Sequence, residues 1–425
     1  MSPCCPDTLG FWGLPESDRL ELRAGEPAAG RFVSLHLGAT LRPEWLPAEQ
    51  RIRLWLARTL PDHDGRGTAL AHFEEGGTRT PAIVAVDGRI GFRFDPDEAI
   101  ASVLHERYFE PRRPIHSYLR LPYQRLPGTL RLKLFRLLVH ARRRSQASFP
   151  AWPVEPSLEA LRWAVACAWR AVTGRSTEPG RWPGGARYAL SLSHDVDTLA
   201  GFRRIPEIAA LEEAHGFRSC WFVVANQYPI DEALLAGLRA RGHEVALHGD
   251  RHDNRIAYLA REHIESRLDA CSAFTSRFDV GGFRAPSLLE SPLLRAALRG
   301  RFRYTSDVPD AEENALVAPR RGCASCFPFL KQGLLEIPIT LPFDDTLRLS
   351  GCAEGELLDA WRGKLAWIRA VGGLAQLLLH AEPHLWRRTR AAYARWLEEL
   401  AEDRSAWRAN LGEVARWWEE RQPHG

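Results

Sequence analysis

From residue 187 onward the sequence predicts an α/β domain built on a parallel sheet, either a barrel or a doubly wound sheet. Three observations predict it. Short apolar runs alternate with helical patterns, as strand–helix units do. About 230 residues carry seven such runs, which suits a (β/α) barrel slightly short of eight units. Residues able to do chemistry stand just past the ends of these runs, where a parallel barrel gathers its active site. The runs lie at 188–192, 219–224, 244–247, 280–283, 302–305, 335–339 and 375–379. The helical patterns fall at about 203–215, 231–241, 258–275, 291–299, 354–370 and 386–401.

The preceding sequence reads as a separate, smaller mixed α/β module over residues 1–147. Ile83 to Phe94 predicts a β-hairpin turning at Asp87-Gly88, and Phe32 to Leu37 and Ile52 to Leu56 predict further strands. Asp95-Pro96-Asp97-Glu98 is a helix start, with Asp95 as cap. Residues 130–145 predict a basic helix carrying Arg131, Lys133, Arg136, Arg142, Arg143 and Arg144 among Leu and Phe. The favoured reading is one packed face and a solvated basic end; the other is peripheral contact with an anionic membrane surface. Residues 148–186 predict a linker and a helix. Pro150, Pro153 and Pro156 mark the linker, and Ser157 to Val172 has helical periodicity. The barrel and its C-terminal helices then occupy residues 187–425.

Composition narrows the class. The 425 residues suit two or three domains, and a 45% apolar fraction with 15 Trp supplies sizeable cores. A net charge of +4 gives no argument for nucleic acid. The excess of Arg over Lys has the look of bacterial GC-rich coding. Eight cysteines show no disulfide framework, and Cys323-Ala324-Ser325-Cys326 lacks a second ligand pair for structural zinc. No apolar segment reaches 18 residues and no signal-like apolar stretch precedes Cys4 and Cys5, so the expectation is a cytoplasmic protein.

The chemistry-bearing residues come in a definite order. Asp195 and Asp197 follow the first run in Ser193-His194-Asp195-Val196-Asp197. His248 and His252 follow the third, Arg284 the fourth, Asp307 the fifth and His380 the seventh. Seven ionisable residues from five strands thus converge on one rim. Two acids and two histidines are enough to hold one divalent ion and keep one carboxylate as a base. An amide also needs an acid for its leaving nitrogen, because an amide anion leaves poorly. Each residue has a plainer reading: Asp as helix cap, His380 as a buried satisfied histidine, Arg284 and Asp307 as ion-pair members. Their joint register favours the site.

His194-Asp195-Val196-Asp197, His248-Gly249-Asp250-Arg251-His252, Arg284-Ala285-Pro286, Asp307 and His380 together resemble the polysaccharide deacetylases with NodB homology (carbohydrate esterase family four). The resemblance covers about 187–385. It implies a distorted seven-stranded (β/α) barrel and a divalent metal, usually zinc, with cobalt, manganese or nickel as alternatives. Asp197, His248 and His252 are then the metal ligands. Asp195 is the base for metal-bound water, and His380 the acid for the leaving amine. Arg284 pairs with Asp195, and Asp307 orients and tunes His380. The chain departs from the family pattern where Val196 separates the two acids, where His194 stands in an aromatic position as a competing ligand, and where Gly249 replaces Ser or Thr.

The expected function is metal-dependent removal of N-acetyl groups from an amino-sugar glycan or glycan precursor. The alternatives are a deacylase of a non-sugar amide or O-acetyl ester, and a catalytically silent glycan-binding protein. The expected partner is an N-acetylated carbohydrate. Trp221 reads as core, and Trp386, Trp396, Trp407, Trp417 and Trp418 as packing rather than a glycan track. His215, His243 and His263 read as surface residues.

Overall fold

The computed structural model describes residues 20–22, 25–60, 65–110, 149–174, 182–312, 321–349 and 351–421. The basic segment 130–145 and the Cys4-Cys5 pair lie outside the described residues.

The first sheet has six strands: β1 (Leu20–Leu22), β2 (Pro27–Leu37), β3 (Ile52–Arg58), β4 (Thr68–Glu75), β5 (Thr78–Val86) and β6 (Arg89–Phe92), in the order β1-β6-β5-β4-β2-β3. In β2 the buried Val33, Leu35 and Leu37 alternate with half-buried neighbours, the pattern of a strand with one face on a core. The predicted hairpin is β5–β6, with Val86 opposite Arg89. Asp87 and Gly88 both take positive φ (48° and 73°), as a two-residue turn matched to strand twist requires. Asp95 accepts from the amides of Asp97 and Glu98 and starts the helix Pro96–Leu104.

The second sheet holds β7 (Tyr188–Val196), β8 (Ser219–Val223), β9 (Glu244–Leu247), β10 (Gly282–Phe283), β11 (Tyr304–Thr305), β12 (Phe329–Lys331), β13 (Leu334–Glu336), β14 (Leu374–His380) and β15 (Ala406–Arg408). Its order is β12-β13-β11-β10-β9-β8-β7-β14, with β15 beside the start of β7. All pairings are parallel except the β12–β13 hairpin. β7 is buried along its whole length, as expected of a parallel strand covered on both faces.

The architecture is mixed α/β, and it differs from a regular ring of seven strand–helix units. β12 and β15 are extra strands, and among the described residues no strand ladder joins β14 to the far end of the sheet. The sheet curls instead. The amides of Thr340 and Leu341, in the irregular segment after β13, donate to Gln376 O of β14 at 3.2 and 3.0 Å. Non-strand backbone thus spans the gap and carries the segment 340–345 across to the end of β14.

The two sheets share one hydrophobic core. The helix Ser157–Thr173 lies in it, with Ala160, Leu161, Ala164 and Ala168 fully enclosed, and Ser157 Oγ accepts from Arg53 N of β3. Glu106, just past the first helix, accepts from the amides of Arg321 and Gly322. The Cys323 and Cys326 thiols are buried and free, and Ser325 between them bonds to Glu159 and Arg162. Trp221, Trp386, Trp396, Trp417 and Trp418 are core residues. His243, read as a surface residue, is buried. Its Nε2 meets Glu213 at 2.9 Å and its Nδ1 accepts from Ser219 N. No helix among the described residues is long and apolar enough to cross a membrane.

Candidate metal centre and its acid–base groups

Strand alternation decides which of the consecutive residues of β7 reach the site. Successive side chains point to opposite faces. Asp195 faces the strand ends, whereas His194 faces the helical layer. There it stacks on Trp221 (ring centroids 4.3 Å apart) and its Nε2 meets Glu212 Oε1 at 2.7 Å. His194 is therefore not a competing ligand. Glu212 also accepts from Ser219 Oγ and Tyr393 Oη.

Asp197, His248 and His252 converge. Asp197 Oδ1 lies 3.4 Å from His248 Nε2 and 3.4 Å from His252 Nε2. The three residues form one compact group of ligand atoms. Their fit to a cation can be tested on the groups themselves. Donors held at 2.0–2.1 Å by a tetrahedral ion stand roughly 3.4 Å apart. His248 Nδ1 lies 2.9 Å from Arg284 O, which as a carbonyl can only accept; Nδ1 carries the proton and Nε2 offers its lone pair to the group. Asp197 Oδ1 and His248 Nε2 are buried and make no hydrogen bond. Burial of such atoms without a partner is costly, and a divalent cation bound by all three residues removes that cost. The residues fit the group.

Asp195 stands beside this cluster. Arg284 Nη1 donates to Asp195 Oδ1 at 2.8 Å, and His248 Nε2 is 3.7 Å from Oδ2. Arg284 is fully buried and held on every side. It donates to Ser306 O, Ser306 Oγ and Ser193 Oγ, and its guanidinium lies 3.9 Å over the Phe222 ring. Burial pushes the Asp195 carboxyl up, but the charges of His248, Arg284 and His380 outweigh it, and Asp195 stays below the usual carboxylate range.

His380 ends β14 in register with Asp195, and Ala381 N donates to Asp195 O. His380 and Asp195 are thus carried on adjacent parallel strands. The expected partner of His380 was Asp307, and the structure corrects this. His380 Nδ1 meets Asp344 Oδ1 at 2.7 Å, and His380 N donates to Asp344 Oδ2 at 3.0 Å. Asp345 Oδ2 is 3.9 Å from Nε2. Burial lowers the His380 pKa, yet Asp344, Asp345 and Asp197 raise it well above the usual histidine value.

Asp307 serves the arginine loop instead. Its Oδ1 accepts from Ala285 N at 2.6 Å, next to Arg284. The amides of Asp307 and Val308 donate to Glu336 Oε1. Glu290, Asp307 and Glu336 are close enough to suggest a second cation site. Protein cations already occupy that role: Arg295 pairs with Glu290 and Glu336 at 2.6 Å each, and Lys331 pairs with Glu290 at 2.5 Å.

Three residues of the site were absent from the sequence reading. Asp344 lies five residues beyond the sixth apolar run, a carboxylate after a strand end that was passed over. Glu382 accepts from Asp197 N, Thr198 N and Thr198 Oγ1, and burial with the Asp197 charge pushes its carboxyl up to about 7. Gln227 bonds to both Asp197 and His252. Asp250 and Asp253 pair with Arg267, away from the cluster.

No protein-family model matches the chain, and no curated protein matches it. Similar solved structures do exist. One, from Mycobacterium smegmatis and described as a polysaccharide deacetylase, is 18% identical over 58% of this chain and 95% of its own, with a TM-score of 0.46. Puue allantoinase is 19% identical over 58% of this chain and 96% of its own, at 0.48. A family 4 acetyl xylan esterase from Clostridium thermocellum, solved with a cobalt ion, is 14% identical over 54% and 91%, at 0.36. In its motifs the chain resembles the polysaccharide deacetylases of carbohydrate esterase family four.

Proposed function

We propose that the protein is a metal-dependent hydrolase that removes N-acetyl groups from an amino-sugar glycan or glycan precursor, with Asp195 as base and His380 as acid. The observation that carries this reading is the buried, hydrogen-bond-free Asp197–His248 pair, closed by His252, lying between a base held by arginine and a histidine held by carboxylates. Asp197, His248 and His252 would hold the ion; zinc is the first choice for one carboxylate and two imidazoles. When bound, such an ion lowers the pKa of water and polarises a carbonyl.

The remaining chemistry belongs to the chain. Asp195, kept ionised by Arg284, accepts the proton of the attacking water through Oδ2, because Oδ1 is engaged by the guanidinium. His380, whose pKa the Asp344 and Asp345 carboxylates raise against its burial, donates from Nε2, because Nδ1 is committed to Asp344. A positioned acid favours an amide over an ester, since nitrogen must be protonated to leave and an alkoxide need not be.

The test is acetate release from a panel of N-acetylated oligosaccharides and sugar precursors, with zinc content measured in parallel. Loss of activity in Asp195→Asn and in His248→Ala supports the reading. Full activity in both variants refutes it.

A further inference from the structure

Ladder hydrogen bonds hold β7 only as far as Val196, which is paired with Val223 of β8. Asp197 is one residue further on, because Val196 separates it from the base. Its backbone has no strand partner, yet its carboxylate belongs to the cluster described above. The segment after β8 supplies what the ladder does not. Ala225 N and Asn226 N donate to Gly249 O and Asp250 O at 3.0 Å each, so the segment runs alongside the histidine loop. From it, Gln227 Nε2 donates to Asp197 O at 2.8 Å, and Gln227 Oε1 accepts from His252 N at 2.7 Å. The neighbouring Tyr228 Oη donates to Val196 O at 2.5 Å.

We infer that Gln227 is a positioning residue that sets metal affinity, by fixing Asp197 and His252 relative to each other through one amide. The inference rests on the metal reading of the site. Two ligands arrive on different loops, from the ends of β7 and β9, and a cation requires their donor atoms in one fixed arrangement. Only a side chain with a donor at one end and an acceptor at the other can bond to a carbonyl on the first loop and an amide on the second. A carboxylate offers no donor, and an ammonium offers no acceptor. Asparagine is one methylene shorter and cannot span both. Outer residues that orient metal ligands typically change affinity by about 10- to 100-fold when removed, and that is the range expected here.

The experiment is chelator competition with zinc chloride on the full chain, comparing the wild type with Gln227→Met and Gln227→Glu. Gln227→Met fills the space and makes neither bond. Gln227→Glu keeps the acceptor for His252 N and loses the donor to Asp197 O. Asn226→Ala is the control, since Asn226 lies beside Gln227 in the same segment but its side chain bonds to Ala270 O, just past the helix Arg261–Asp269, rather than to either ligand. Melting of the metal-free proteins and the visible spectrum of the cobalt-loaded forms are read alongside. The expected result is zinc affinity weakened about 10- to 100-fold in both Gln227 variants, a changed cobalt spectrum, and wild-type affinity in Asn226→Ala. Should Gln227→Met fail to fold, Gln227→Glu alone carries the comparison. Zinc bound equally by wild type and Gln227 variants overturns this inference and leaves the proposed function standing. A wild type that binds neither zinc nor cobalt overturns both.

Discussion

Replacing Asp344 by Asn tests the acid assignment at its least obvious point. The substitution keeps the shape of a fully buried side chain and removes its charge. Asp344 makes two contacts with His380: Oδ2 with the backbone N at 3.0 Å and Oδ1 with Nδ1 at 2.7 Å. An asparagine can keep the first only by turning its carbonyl to His380 N, which turns its NH2 toward Nδ1. Two N–H groups then face each other whenever the imidazole is protonated, so the imidazolium loses a charge partner and gains a clash. An opposite charge this close shifts a pKa by about 1–3 units. Asp345, 3.9 Å from Nε2, remains. A fall of about 1–2 units is therefore expected, or about 1.4–2.7 kcal/mol of lost imidazolium stabilisation. The acid works only while protonated, so activity falls as pH rises through the His380 pKa. Lowering that pKa moves the basic limb of kcat/KM to lower pH. The assay is acetate release across pH 5–10 in wild type and Asp344→Asn at matched zinc content, with kcat at neutral pH expected to drop by up to about 10- to 100-fold, the equivalent of that 1.4–2.7 kcal/mol. A variant with an unmoved basic limb and wild-type kcat refutes the reasoning and removes His380 from the mechanism.

Other substitutions read different parts of the site. Arg284→Met strands a buried Asp195 and should cost about 3–5 kcal/mol of stability in urea titrations. In whatever fraction folds, the acidic limb of kcat/KM should move to higher pH, because the charge that helps hold Asp195 ionised is gone. His248→Ala combined with His252→Ala should purify without zinc while one ion per chain accompanies the wild type, measured by elemental analysis. Glu212→Gln, away from the site, should lose about 1–3 kcal/mol. Burial raises the Glu212 pKa, but His194, Ser219 and Tyr393 bring it below the usual 4.5. Its contribution is thus present above pH 4.5 and lost as pH falls through the lowered value, so wild type and variant should converge in stability on acidification. Gly249→Ala should cost about 1–2 kcal/mol, since Gly249 sits at φ 78° and a Cβ there meets Pro286 at 3.3 Å.

What the sequence made legible follows the ranges over which its signals act. The seven apolar runs all became strands, because burial on both faces leaves a local apolar signature that needs no knowledge of the partner strand. Asp195, Asp197, His248, His252, Arg284 and His380 were legible because each lies within five residues of a strand end, and parallel strands deliver such residues to one rim. β12 and β15, three residues each, were too short to show a period. His194 was ambiguous in sequence, since Glu212, which claims its ring, comes 18 residues later on a helix. Asp307 and Asp344 were confused for a deeper reason. Both are acids beyond strands on the same side of His380, and distance from a strand end favours Asp307. The choice is made by closure: Thr340 and Leu341 donate to Gln376 O and carry Asp344 to the end of β14, while Glu336 takes the Asp307 and Val308 amides and leaves the Asp307 carboxylate on Ala285. A non-strand segment bonding to a strand has neither the period of a helix nor that of a ladder. The carboxylate that meets His380 is therefore set by the least periodic stretch of the sheet, and it becomes visible only once the two ends of the curled sheet are brought together.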